Sequence, residues 1–155
     1  MTVDDVMKRD VKTCRPSDSL NRAAQIMWDH DCGCVPVVNE KNEVIGMLTD
    51  RDICMAAYTQ GRVLAEITVD NVMSTQVFAC AAGDSLTAAE AIMQTHQIRR
   101  LPVLGFENQL LGILSLNDLA LAVASSPRDQ SSGLSAAAIE STLAAVCRPR
   151  GEQLS

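Results

Sequence analysis

Apolar residues recur along the chain with two different periods. Val11 to Cys14 is a short apolar-rich run that predicts a strand. Leu20, Ala23, Ala24 and Met27 then fall at i, i+3, i+4 and i+7, the spacing of one buried helix stripe, and Asp18 ahead of them predicts the N-cap. Val35-Pro36-Val37-Val38 reads as a strand in which the proline withholds one ladder donor. A polar turn over Asn39 to Asn42 leads to a hairpin partner, Val44-Ile45-Gly46-Met47-Leu48, and Thr49 predicts the cap of a second helix. The order is β-α-β-β-α.

The same order then comes round again. Val3-Asp4-x-Val6-Met7 lands on Val69-Asp70-x-Val72-Met73, and the offset holds without a gap through Asp18-Ser19-Leu20 on Asp84-Ser85-Leu86 and Pro36-Val37 on Pro102-Val103. It continues through Gly46 on Gly112 and Asp52 on Asp118. An internal repeat of this length is one supersecondary unit used twice. One unit alone cannot bury both faces of its sheet. The expected fold is therefore α/β, two β-α-β-β-α repeats (1–62 and 63–124) packed about a pseudo-two-fold axis. Residues 125–134 have linker composition. Ser135 then predicts the cap of a tail helix in which Ile139, Leu143 and Val146 share one face, with Leu134 and Ile139 at hydrophobic-staple spacing. Linker and tail helix together make up 125–155.

Composition narrows the function classes. Aromatics are only 3% of the chain, so aliphatic residues and methionine must build the core. The formal net charge is −6, and only Lys8-Arg9 and Arg99-Arg100 place two cations side by side. A nucleic-acid surface needs clustered cations, so no nucleic-acid partner is expected. The first residues lack the basic-then-apolar pattern of a signal peptide, and no run approaches the roughly 18 apolar residues of a membrane span. A cytoplasmic protein with no membrane partner is expected, its six cysteines reduced thiols.

The candidate chemistry lies where a strand meets a helix in each copy: Met47-Leu48-Thr49-Asp50-Arg51-Asp52 and Ile113-Leu114-Ser115-Leu116-Asn117-Asp118. A hydroxyl N-cap leaves backbone N–H groups and the positive helix end facing out, which suits a phosphate. A carboxylate three residues on can accept both hydroxyls of a ribose. The same spacing also fits a plain capping box, with no ligand at all. Gly46 and Gly112 sit in the preceding strands, where backbone can approach a flat ring, and Pro36 and Pro102 free backbone groups in the neighbouring strands.

Over residues 3–124 the chain resembles a tandem pair of cystathionine β-synthase (CBS) domains, a Bateman module. The resemblance rests on Gly33-Cys34-Val35-Pro36 with Thr49-x-x-Asp52, and Arg99-Arg100-Leu101-Pro102 with Ser115-x-x-Asp118. It implies a non-enzymatic sensor that binds AMP, ADP, ATP, S-adenosylmethionine or a related adenosyl ligand between the repeats, not as a catalytic cofactor. It also implies a homodimer and a regulated partner protein. Each site would be composite. One would join Thr49 and Asp52 to Phe78, Ala79, Arg99, Arg100 and the Pro102 strand. The other would join Ser115 and Asp118 to Lys12, Thr13, Gly33, Cys34 and the Pro36 strand. The family pattern often has a hydroxyl where Ala79 stands, and only the first site has guanidinium groups for phosphate.

Other residues have competing readings. Cys32-x-Cys34 could be a thiolate pair, making the chain a metal-binding or redox-responsive protein, although no second pair with metal spacing completes a closed zinc site. His30 and His96 occupy equivalent positions at predicted helix C-termini, where imidazolium suits the dipole. No nucleophile lies in a recognisable motif, so no catalytic residue is expected. Trp28, at the edge of its helix stripe, is expected to be partly buried or part of an interface.

Overall fold

In the computed structural model, which describes residues 1–125 and 133–149, the chain divides into two compact units that do not follow the sequence copies from end to end. One unit is Asp10–Val77 with Phe106–Leu110; the other is Met1–Arg9, Phe78–Gly105 and the chain from Leu111 onward.

In the Asp10–Val77 unit, helix α2 (Leu20–Asp29) buries Leu20, Ala23, Ile26 and Met27. Ile26 takes the place expected of Ala24, which is half-buried. The cap is Ser19, whose side chain accepts from Arg22 N–H at 3.1 Å. Asp18, the predicted cap, instead accepts from Arg15 N–H at 2.8 Å and closes the turn before the helix. A serine hydroxyl nearer the helix reaches the free donors, and the carboxylate one residue earlier does not.

Strands β1 (Cys34–Val38) and β2 (Val44–Thr49) form an antiparallel hairpin with Pro36 opposite Met47. Met47 sends both its backbone groups to Ser74, at 2.9 Å each, so Pro36 faces a residue that asks no donor of it. The predicted strand Val11–Cys14 is reduced to one parallel bridge, Cys14 to Val37. Helix α3 (Asp50–Gln60) ends at Gly61, whose φ of 60° is the left-handed C-cap conformation glycine adopts without steric cost. Leu20, Val35, Val37, Leu48, Ile67 and Val69 are fully buried in this core.

The other unit opens with α1 (Val3–Val6). Val3 N–H donates to Asp84 O and Asp4 N–H to Ala82 O, both at 2.9 Å, and Lys8 exchanges two backbone bonds with Ile113. Lys8 and Ser74 hold the same place in the repeat, and each adds a short extra strand position to the sheet of the other sequence copy. The sheet order is β3 (Cys80–Ala81), β4 (Arg100–Leu104), β5 (Leu110–Ser115), with β3 parallel to β4. Helices α4 (Leu86–His96) and α5 (Leu116–Ser125) complete the copy. Ser85 again caps α4, while Asp84 accepts from Ala81 N–H.

The tail helix α6 (Ala136–Val146) forms as expected, capped by Ser135, and lies on α4 and α5. Most of the predicted linker, 126–132, lies outside the described residues. The buried face of α6 differs from the predicted one: Leu143 is exposed, and Thr142 is fully buried, its hydroxyl donating to Glu90. Leu134 joins the core and Ile139 packs against it. A buried carboxylate needs a donor, and Glu90 on α4 rotates the tail to supply one.

The strand glycines have a structural reason. A Cβ on Gly112 would stand 2.8 Å from Lys8 O and 2.8 Å from Met7 Sδ; on Gly46 it would meet Met73 Sδ at 2.6 Å and Ser74 O at 3.1 Å. The close approach is made by the chain's own crossing segment, which corrects the expectation that a ligand ring needs this space. A thioether can swing aside and a carbonyl held in a ladder cannot. Gly112→Ala is therefore expected to destabilise the protein by about 1–3 kcal/mol, and Gly46→Ala by less. Urea denaturation of the two variants tests the order.

Candidate functional site

Each strand–helix junction closes as a capping box. In α3, Thr49 N–H donates to Asp52 Oδ2 (2.9 Å) and Asp52 N–H donates to Thr49 Oγ1 (3.1 Å). In α5, Ser115 N–H donates to Asp118 Oδ2 (2.8 Å) and Asp118 N–H donates to Ser115 Oγ (3.2 Å). The Ser115 hydroxyl adds a third bond, to Asp118 Oδ2 (2.5 Å).

The helix start of α3 is already satisfied by the protein. Asp50 N–H goes to Gly33 O (3.0 Å), Arg51 N–H to Asp50 Oδ1 (2.8 Å) and Asp52 N–H to Thr49. The expectation of open N–H groups at this helix start is thus corrected: the first three all have acceptors within the protein. The equivalent bond in the other unit runs from Leu116 N–H to Arg99 O (2.9 Å). In both units the carbonyl two residues before the strand valine or leucine (Gly33, Arg99) anchors the aspartate-bearing helix.

A carboxylate offers about four lone-pair sites. Asp52 is half-buried and spends one of them within the box, so it keeps capacity for two ribose hydroxyls. Asp118 is only 6% exposed, gives Oδ2 two bonds, and has Lys8 Nζ 3.6 Å from Oδ1. Lys8 is a site neighbour that residue patterns did not reveal. It reaches Asp118 only because the first nine residues belong to the second copy's unit, and its repeat counterpart, Ser74, carries no charge.

The remaining predicted residues divide between the units. Gly33 and Cys34 adjoin Thr49, Cys34 standing directly opposite it in the hairpin. Pro36 is buried, Thr13 is half-buried, and Lys12 pairs with Asp10 at 3.0 Å. In the other unit Pro102 is buried, Ala79 and Arg100 are half-buried, and Arg99 is exposed. Phe78 stacks on His96, ring centroids 3.6 Å apart and planes 15° from parallel, so one face of this ring is already covered. Arg99 donates to Cys147 Sγ on the tail at 3.6 Å.

Cys14, Cys34 and Cys80 are buried and Cys32 is half-buried. Burial, then the nearby Asp18 charge, pushes the Cys14 thiol up to about 12; burial, then Asp84, pushes Cys80 up to about 11. Both are core thiols, protonated at neutral pH. Among the described residues no three His, Cys, Asp or Glu side chains stand together as a metal site, and no helix is long and apolar enough to cross a membrane. Trp28 is 87% exposed, not partly buried.

The CBS domain family profile matches residues 3–58 and 69–125. The chain is 42% identical to the CBS domain-containing protein YhcV of Bacillus subtilis (strain 168) over 120 residues, which is 77% of this chain and 84% of YhcV. It is 32% identical to Hypoxic response protein 1 of Mycobacterium tuberculosis over 119 residues, 77% of this chain and 82% of that one. A crystal structure of Hypoxic Response Protein I with two coordinated zinc ions superposes with a TM-score of 0.70 at 31% identity, covering 79% of this chain and 98% of that one. Two further structures are similar in fold at 21% identity. The CBS domain pair of protein MJ0100, in complex with 5′-methylthioadenosine and S-adenosyl-L-methionine, gives a TM-score of 0.73 over 80% of this chain and 96% of its own. CBSX2 in complex with AMP gives 0.70 over 79% and 96%.

Proposed function

This chain belongs to the CBS domain family, as a tandem pair with an added tail helix, and on that footing we propose that it is a regulatory module that binds an adenine nucleotide. The carrying observation is Asp52, a carboxylate fixed by a capping box with acceptor sites to spare. The complexes of MJ0100 with adenosyl ligands and of CBSX2 with AMP support the ligand class.

In this reading Asp52 and Thr49 hold a ribose, and Arg99 and Arg100 are the cations suited to a phosphate. Ser115 and Asp118 mark a second, weaker ribose position, because Lys8 and Ser115 already occupy much of Asp118. AMP, ADP and ATP are the ligands of choice, since an exposed guanidinium rewards a phosphate with a charge-assisted bond. The module catalyses nothing and works in the cytoplasm, passing occupancy to a regulated protein or to its own self-association. Mass spectrometry of small molecules released from purified protein tests the class. An adenine nucleotide is expected, and a protein that neither carries nor takes up any adenosyl compound overturns the reading.

Exposed apolar residues favour a homodimer as the form that responds. Trp28 on α2 and Met55 and Tyr58 on α3 are all exposed, Tyr58 by 81%. In the second copy Trp28 is replaced by Gln94, which donates to Ser141 of the tail helix at 3.4 Å. The first copy has no such helix of its own. Trp28→Ala is expected to shift sedimentation toward monomer, and an unchanged dimer would place the contact elsewhere.

A further inference from the structure

Lys8 and Arg9 stand side by side in the chain, and the fold sends them to different carboxylates. Arg9 turns back on its own segment, Nη2 lying 2.8 Å from Asp4 Oδ1. Lys8 reaches the start of α5, Nζ lying 3.6 Å from Asp118 Oδ1. Two backbone bonds of 2.9 Å pin Lys8 to Ile113, so its ammonium is tethered within reach of that carboxylate. The two oxygens of Asp118 have different partners. Oδ2 takes the Ser115 N–H and hydroxyl, while Oδ1 faces the ammonium. The Lys8 side chain is 71% exposed and that of Asp118 only 7%. The lysine is the wet partner of the pair and stands on the open side of a covered carboxylate. Among the described residues no such cation pairs with Asp52, and Ser74, the repeat counterpart of Lys8, carries no charge.

We propose that Lys8 is a built-in occupant of the second ribose position: its ammonium competes with ribose hydroxyls for Asp118 Oδ1, and a nucleoside fills that position only by displacing it. The proposal rests on the nucleotide-binding reading above and adds the order in which the two carboxylates are used. A charged donor is a stronger partner for a carboxylate than a neutral hydroxyl, and a tethered one is present at high local concentration. At 3.6 Å the ammonium is nevertheless beyond a good hydrogen bond, and it stands largely in water, where salt screens the pair. Lys8 is therefore a displaceable plug. Asp52 is filled first, and Asp118 is filled at higher nucleoside concentration or higher ionic strength. The linkage is reciprocal: the nucleoside loses affinity by the factor that the ion pair is worth, and a bound nucleoside sets the Lys8 side chain free.

Calorimetry of the full-length protein with adenosine tests the plug, because adenosine is uncharged and offers a ribose without a phosphate. Asp52→Ala silences the first position, so that the Asp118 position is read alone. Lys8→Met keeps the aliphatic stem and the backbone bonds to Ile113 and removes the charge. In Asp52→Ala protein, adding Lys8→Met is expected to tighten adenosine about threefold or more, whereas adding Lys8→Arg leaves the affinity as it was. Raising salt from about 0.01 M to about 1 M is expected to tighten adenosine in the Asp52→Ala protein more than in the double variant, since only the former has an ion pair to screen. If wild-type protein binds adenosine or AMP but Lys8→Met changes neither the affinity nor the salt response, Lys8 is an ordinary surface ion pair and the binding reading stands. Absence of adenosine binding by both Asp52→Ala proteins counts against the plug in the same way. If wild-type protein takes up neither compound, both fall.

Discussion

Asp52→Ala is expected to weaken AMP binding about 10- to 100-fold, the equivalent of losing one hydrogen bond to a charged group at about 1.5–3 kcal/mol. The expectation depends on Asp52 retaining free lone pairs after closing its capping box with Thr49. The same substitution also opens that box, which costs on the order of 1 kcal/mol of stability. The two effects separate cleanly: thermal melting without ligand reads the cap, and calorimetry at a temperature well below the melt reads the site. Asp118→Ala is expected to cost much less affinity, because Ser115 and Lys8 already engage that carboxylate. Equal losses from the two substitutions would contradict the inequality of the sites.

The double substitution Arg99→Ala, Arg100→Ala is expected to abolish the preference for AMP over adenosine, lowering AMP affinity about 10-fold or more while adenosine binding stays nearly intact. Arg99 is exposed and Arg100 half-buried, and a guanidinium rewards a phosphate with a charge-assisted bond that adenosine cannot supply. Calorimetric titrations with both ligands measure the ratio. Parallel losses for adenosine and AMP would assign the arginines to the fold. An unchanged ratio would place them outside the site.

Much of the architecture could be read from the residues, because strand and helix rhythms are local. The hairpin of Val35–Leu48, the caps at Thr49 and Ser115 and the tail helix all formed where the pattern placed them. Where expectations failed, distant contacts decided. Asp18 lost the cap to Ser19 by the reach of a side chain, and the inward face of α6 turned on a carboxylate in another helix. The glycines of β2 and β5 looked like room for a ligand and proved to be room for Met73 and Met7. Nothing local marks Lys8 as a neighbour of Asp118, since that contact exists only after the chain has traded its leading segments.

That trade also governs when the molecule can finish folding. The bonds from Val3 to Asp84 and from Lys8 to Ile113 join residues separated by most of the folded chain. Pairings so far apart in sequence close large loops and slow the search for the native state. During synthesis, the Val3 N–H has no partner until Asp84 has been made, and Lys8 none until Ile113 has followed. Until then Val3 and Met7, both buried at the end, remain in water. The unit that contains Lys8 is thus completed only after Ile113, and a chain stopped before Ile113 leaves Lys8 without its ladder partner.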